Sequence, residues 1–292
     1  MSGGRRVLIV GGDSLIGRAV GEGFATAGDN VYFSTRRGPY GSAQRPYLDL
    51  LAIATGAMDP NSLPPVDIAI LAAAVARVND CEAAPEETWQ VNVEGSARVA
   101  RCLAAQGAYV VMLSSDKVFD GRVAQRRRDD PPCPETAYGR QKAALEAIVL
   151  ELPGGAVLRL SKVLLPSLAL LADWTAALRQ GQTVEAFDDF TLAPVTPEHI
   201  GRVVRAMAAE RSPGLFHCTG AADRSYAELA AMLAAAVGAD PALVLARPTP
   251  DHIVSPAARC PHTALDMSEE GRRWGIEPPT MEAVVAELAS GL

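Results

Sequence analysis

The opening 33 residues constrain this chain more than any other stretch. Val7, Leu8, Ile9 and Val10 form an unbroken apolar run, as a strand buried on both faces of a parallel sheet does. Gly11, Gly12, Asp13 and Ser14 follow as a turn. Leu15, Ile16, Val20 and Phe24 then recur at helical spacing, and Gly28 marks a stop. Val31, Tyr32 and Phe33 read as a second strand. The result is a β-α-β unit, whose crossover is right-handed in nearly all sheets.

The alternation continues down the chain. Strands are expected at 66–74, 109–113 and 157–160, and helices at 88–105 and 138–150. Strands that alternate with helices build a parallel α/β sheet. Beyond Pro166 the pattern changes to helices at 168–178, 197–209 and 227–237, with short strands near 184–187 and at 214–218. The expected fold class is α/β: a Rossmann-type, doubly wound parallel sheet with a smaller, interleaved C-terminal substrate lobe. Residues 1–165, with a returning segment at about 188–220, would form the first domain. Residues 166–187 and 221–292 would form the lobe.

Composition excludes several classes. Hydrophobic residues make up 49% of the 292, too many for a disordered chain. No apolar run approaches the ~20 residues that a membrane helix needs, so no membrane partner is expected. The net charge of −7 argues against nucleic acid. Cys81, Cys102, Cys133, Cys218 and Cys260 are scattered, and no two lie at C-x-x-C spacing. His199, His217, His252 and His262 form no H-E-x-x-H pattern, so no metal site is expected. The start shows no secretory pattern, and the expected compartment is the cytoplasm with reduced thiols.

Gly11-x-x-Ser14-x-x-Gly17 lies between an expected strand and an expected helix. Small residues there let the backbone approach a pyrophosphate, and the helix start favours its charge. The alternative is a plain tight turn. At the end of the second strand, NAD binders carry an acid, whereas this chain has Ser34-Thr35-Arg36-Arg37. A guanidinium grips a 2′-phosphate, so NADP(H) is favoured and NAD(H) stays open. The alternative for Arg36 and Arg37 is a solvated loop. Asp49 and Leu50 have two readings, an adenine contact and a helix N-cap. Arg126, Arg127 and Arg128 precede Asp129 and Asp130, and a self-neutralised loop is the favoured reading there.

Tyr138 and Lys142 are four residues apart on an expected helix and so share a face. An ammonium beside a phenol favours the phenolate, which suits the tyrosine to general acid or base work. Ser114 and Ser115 end an expected central strand, where ligands sit in open α/β sheets. A serine hydroxyl there can hold a carbonyl oxygen.

With these motifs in place, the chain resembles an extended short-chain dehydrogenase/reductase, and more narrowly the dTDP-4-dehydrorhamnose reductase family. The resemblance runs nearly end to end. It rests on the Gly11 to Gly17 turn, Ile70-Leu71-Ala72-Ala73-Ala74, Val91-Asn92-Val93-Glu94-Gly95 and Leu113-Ser114-Ser115-Asp116-Lys117-Val118-Phe119-Asp120-Gly121. It continues through Tyr138 to Lys142, Val157-Leu158-Arg159-Leu160-Ser161, Ala193-Pro194-Val195-Thr196, Gly214-Leu215-Phe216-His217, and Arg259 with Ala264-Leu265-Asp266. The resemblance implies that Ser115 orients a keto oxygen, Tyr138 donates the proton, and Lys142 holds the nicotinamide ribose and tunes Tyr138. It implies that Ser14, Leu15 and Ile16 meet the pyrophosphate, that Asp49 and Leu50 meet the adenine, and that Ala72, Ala73 and Ala74 line the cofactor groove.

Four positions depart from the family. Ser14 replaces its middle glycine, Lys117 its tyrosine, Lys162 its tryptophan and Cys260 its proline. Ser115, Asp116, Lys117 and Lys162 are therefore the candidate substrate residues, and two lysines in place of aromatics suit a more acidic substrate. The alternative is that either lysine points to solvent. The expected function is NADPH-dependent reduction of a keto group on a nucleotide-linked sugar or related metabolite. A redox-neutral epimerase or dehydratase, and a non-catalytic NADP-binding regulatory subunit, are the alternatives. A homodimer stays open.

Overall fold

The computed structural model describes residues 4–37, 42–252 and 259–291. The chain divides into two compact units. The first comprises Met1–Val118, Pro132–Arg159 and Ile200–Phe216, the second Phe119–Pro131, Leu160–His199 and His217–Leu292.

The sheet has six strands: β1 (Arg6–Val10), β2 (Asn30–Phe33), β3 (Ile68–Leu71), β4 (Tyr109–Ser115), β5 (Gly155–Leu160) and, later in the chain, β8 (Gly214–Cys218). Their order is β2-β1-β3-β4-β5-β8. β1 pairs in parallel with β2 and with β3, and β3 with β4. The continuous apolar runs follow from this, because β3 and β5 are buried along their whole length. A parallel bridge between Thr35 and Tyr47 extends the pairing beyond β2.

The helices that position the site are α1 (Leu15–Thr26), α2 (Leu50–Thr55), α3 (Val78–Ala83), α4 (Pro85–Trp89), α5 (Ser96–Ala105) and α6 (Ala137–Leu150). One helix was expected at 88–105. The structure begins it at Pro85 and winds Gln90–Gly95 as a π-helical turn before α5. The expected strand at 66–74 is four residues long, since Ala72, Ala73 and Ala74 leave the sheet as a loop. The core on one side of the sheet joins Leu8, Val10, Ala69 and Val110 to Ile53 of α2, Leu103 of α5 and Leu145 of α6.

The second unit contains α7 (Ala169–Arg179), β6 (Val184–Phe187), β7 (Thr191–Leu192), β9 (Arg224–Ser225), α9 (Tyr226–Ala236), β10 (Val244–Arg247), α10 (Ser268–Trp274) and α11 (Met281–Ser290). Leu171, Trp174, Leu229, Leu233, Val284 and Leu288 pack into the core of this unit. Between β7 and β8 the chain forms α8 (Pro197–Glu210).

The segment Phe119–Pro131 falls in this second unit rather than with the first 165 residues. The reason is backbone pairing. Arg126 bridges Leu265, Asp266 N donates to Arg126 O (3.0 Å), and His262 N donates to Gly121 O (3.0 Å). The three arginines there are neutralised locally: Arg126 by Asp120 (3.2 Å), Arg127 by Asp129 (3.4 Å) and Arg128 by Glu269 (3.5 Å). The five cysteines are free thiols.

Candidate active site

The glycine turn sits where β1 ends. Gly11 has φ +94°, and a Cβ on it would lie 2.7 Å from the backbone N of Ala73. Glycine is therefore required both by conformation and by the close pass of the loop after β3. Gly11 N donates to Ser34 Oγ (2.9 Å), which ties the turn to the end of β2. Ser14, in the family's glycine position, is the N-cap of α1. Its Oγ accepts from Gly17 N (3.0 Å) and donates to Gly11 O (2.8 Å), and its φ of −75° needs no glycine. A serine fits here because its hydroxyl is used inside the turn. The N–H groups of Leu15 and Ile16 belong to the first helical turn, which lacks intrahelical acceptors.

No sequence pattern points to Asp13, and the structure makes it a junction. It accepts from Thr35 Oγ1 (2.6 Å) and Arg45 Nη2 (2.6 Å), and lies 4.0 Å from Arg37 Nε. Burial pushes its carboxyl up, but Thr35, the two arginines and the Arg36 backbone outweigh this and hold it below the usual range. An acid thus does stand at the end of β2, supplied by the turn rather than by the strand. Arg36 and Arg37 are exposed. An open hollow is lined by Gly12, Arg18, Glu22, Phe33 and Arg45. Asp49 is the N-cap of α2, accepting from Leu51 N (2.9 Å) and Ala52 N (3.2 Å), while Leu50 is buried. Ala72 N donates to Val10 O (2.9 Å), and Ala73 and Ala74 are half-buried. The turn, its small-residue neighbour and the arginines form a cradle with room at the backbone and positive charge at its edge, which fits a dinucleotide phosphate.

Ser115 ends β4, and Tyr138 and Lys142 lie on the buried face of α6. Thr136 caps α6 by accepting from Gly139 N (3.1 Å). Gly139 lets the helix press on the turn after β4, since a Cβ there would lie 2.0 Å from Lys117 O. Lys142 Nζ donates to Leu113 O (2.9 Å) and stands 5.7 Å from the Tyr138 ring centre. Burial pushes the Lys142 amine down to about 8, opposed by Glu146 and Cys81. Burial, and next the charge of Asp116, push the Tyr138 phenol up, while a hydrogen bond with Ser115 works the other way. Ser115 Oγ also donates to Asp116 Oδ1 (3.0 Å). Lys117 Nζ lies 3.6 Å from Asp116 Oδ2. Ser115, Asp116, Lys117, Tyr138 and Lys142 are thus brought together in the first unit. Lys162 is exposed in the second.

Three further residues support this set. Asn92, in the π-helical turn, accepts from Val75 N (2.8 Å) and donates to Val75 O (3.0 Å) and Gln141 Oε1 (2.7 Å). Gln141 in turn donates to Thr88 Oγ1 (2.8 Å). Asn92 therefore pins the loop after β3 to the residue beside Lys142. Glu146, one helical turn past Lys142, joins Ser114 and Arg159 in a buried network. The i, i+4, i+8 spacing of Tyr138, Lys142 and Glu146 is the sequence signal that would have pointed to it.

A sequence profile described as RmlD substrate binding domain matches residues 5–292. The chain belongs to this family. It is 32% identical over 224 residues to a dTDP-4-dehydrorhamnose reductase of Streptomyces griseus, a match that covers 72% of each chain. It is 28% identical over 290 residues to methionine adenosyltransferase 2 subunit beta of Pongo abelii, covering 91% of this chain and 81% of that one. Its fold superposes with a TM-score of 0.83, at 19% identity and 99% coverage of both chains, on a dTDP-4-dehydrorhamnose reductase from Bacillus anthracis str. Ames solved in complex with NADP. The family resemblance and the α/β fold read from the sequence are thereby borne out. Among the described residues no cluster of His, Cys, Asp or Glu suits a metal ion, and no helix is long and apolar enough to cross a membrane.

Proposed function

We propose that this family member reduces a keto group on a nucleotide-linked sugar of the 4-keto-6-deoxy type, with NADPH as reductant. The observation that carries the reading is the gathering of Ser115, Tyr138 and Lys142 at the carboxyl end of β4, in the same unit as the glycine turn. NADPH, when bound, supplies the hydride. Leu15 and Ile16 would hold its pyrophosphate by the backbone N–H groups of the first helical turn, with Gly11, Ser14 and Gly17 shaping the turn around it, and Arg36 and Arg37 would meet its 2′-phosphate. Ser115 Oγ would hold the keto oxygen. Tyr138 delivers the proton to that oxygen, a task suited to a phenol that burial keeps protonated. Lys142, as an ammonium, stabilises the phenolate left behind. Lys117, beside Asp116, gives the substrate side a cation where the family has an aromatic ring, which suits a ligand carrying phosphate or carboxylate.

The test is Tyr138→Phe with a dTDP-4-keto-6-deoxysugar and NADPH. Turnover should fall at least about a hundredfold, the scale of general acid catalysis, while NADPH binding persists. Full activity in that variant removes Tyr138 from the chemistry. NADPH consumed in step with product separates a reductase from a redox-neutral enzyme. The likeness to a methionine adenosyltransferase subunit motivates a second reading, an NADP-binding regulatory subunit without its own turnover. Binding of NADPH with no reduction of any keto sugar would favour it.

A further inference from the structure

We propose that Glu146 is a positioning residue that keeps Lys142 charged, and through Lys142 governs proton delivery by Tyr138. This rests on the reading of Tyr138 as proton donor. Tyr138, Lys142 and Glu146 follow one another at four-residue intervals on the buried face of α6. Two residues from other elements hold the Glu146 carboxylate. Arg159 of β5 grips it with Nε at 3.0 Å from Oε1 and Nη2 at 2.8 Å from Oε2. Ser114 of β4, the neighbour of Ser115, donates to Oε1 at 2.5 Å. Glu146 and Arg159 are each only 2% exposed.

A buried ion pair is a poor device for stability alone. Desolvation offsets most of its attraction, and an apolar pair of similar volume often serves as well. The placement of this pair suggests another use. Lys142 is itself buried, and burial works against its charge. After burial, Glu146 has the largest influence on it, and it favours the ammonium. The other groups near the Tyr138–Lys142 face do not replace it. Cys81 of α3 is a thiol that burial pushes up and so keeps neutral near pH 7. Glu82 of α3 is engaged by Ala137 N (2.6 Å) at the start of α6. Asp116 acts on Tyr138, raising it. From β4, Leu113 offers Lys142 a carbonyl, while Asn92 and Gln141 are neutral. Glu146 is the carboxylate that acts on the amine.

The chain contains three lysines, Lys117, Lys142 and Lys162. Enzyme labelled with ¹³C at lysine Cε should therefore give three side-chain NMR signals, assignable with Lys→Arg variants. In Glu146→Gln the Lys142 titration midpoint should fall by about one pH unit or more, the size expected for losing a neighbouring opposite charge. The alkaline limb of kcat/KM should move to lower pH with it. Glu146→Asp, which keeps the charge, should retain most of the wild-type midpoint. The double variant E146Q/R159M also removes the buried guanidinium that E146Q leaves without its carboxylate. It should recover stability relative to E146Q while its Lys142 midpoint stays below wild type. That combination separates an effect on the amine from an effect on folding.

A Lys142 midpoint unchanged in the folded variants overturns the proposal. So does an E146Q/R159M double variant that restores the wild-type midpoint together with stability, and so does Glu146→Asp behaving like Glu146→Gln. The titration needs no turnover. An inactive wild type would overturn the reductase reading, while the NMR midpoints would still decide the role of Glu146.

Discussion

Lys142 sits where an amine is costly to keep charged, and that cost has a signature in stability. Its folded midpoint is pushed down to about 8 from an ordinary 10.5. Between those values the unfolded chain binds a proton that the folded chain does not, so stability rises with pH across the window. From about pH 8 to pH 10 the rise should be about 2 kcal/mol, because a full proton's difference in binding is worth about 1.36 kcal/mol for each pH unit crossed. Tyr138 works in the opposite sense above its ordinary value of 10.0. Its folded phenol holds the proton longer, and that contribution is lost as pH rises. Urea unfolding of wild type and Lys142→Met between pH 8 and pH 10 should show the rise in the first and not in the second. A Lys142→Met curve parallel to wild type would contradict an enclosed, depressed amine. At this scale the sequence was legible where spacing itself carries chemistry, as in Tyr138 and Lys142. It was not legible at Asp13 or Arg159. Asp13 acquires its role from Thr35 and Arg45, and Arg159 of β5 meets Glu146 of α6. Those partners exist only once the sheet has formed.

The elements meet at the site with little clearance, and Gly139 shows how little. It lies on α6 between Tyr138 and Lys142, and a Cβ there would be 2.0 Å from the backbone oxygen of Lys117 and 3.0 Å from Pro134 Cβ. Backbone cannot yield as a flexible side chain does, so Gly139→Ala must move α6 away from the turn after β4. Overpacking of this kind costs about 1–3 kcal/mol. The functional loss should be larger, because the shift opens the distance between Ser115 and Tyr138. A misplacement of about 1 Å can cost a hundredfold in rate. Kinetics and urea unfolding of Gly139→Ala should show kcat/KM reduced at least about tenfold in a protein that still folds. Unchanged kcat/KM would mean that the approach of α6 to β4 does not set the geometry. The existence and order of α1, β1–β5 and α6 could be read from periodicity, and the structure repeats them with bounds shifted by a few residues. The π-helical turn at Gln90–Gly95 could not, because its apolar pattern is that of an ordinary helix. What imposes it is tertiary: Asn92 reaches Val75 and Gln141 from inside that turn. Asp49 illustrates the opposite limit. Both of its readings were open in sequence, and the structure shows the cap.

Across the whole molecule, every residue proposed to hold the cofactor lies in the first unit, from Gly11 through Ala74 to Lys142. The net charge of −7 is no obstacle, because Arg18, Arg36, Arg37 and Arg45 gather around the glycine turn. The second unit has its own apolar core, in which Leu233 is fully buried. Shortening that side chain should therefore lower stability without touching cofactor affinity. Leu233→Ala should cost about 2–5 kcal/mol, as buried leucines do. NADPH at about 100 times its dissociation constant should add about 2.7 kcal/mol of apparent stability to wild type, provided that it binds only the folded chain. In Leu233→Ala the dissociation constant, measured by NADPH fluorescence on folded protein, should stay within about threefold of wild type, a difference of less than about 1 kcal/mol. A larger loss of affinity would show that the second unit's core takes part in holding the dinucleotide. The assignment of that task to the first unit's turn, loop and arginines would then fail.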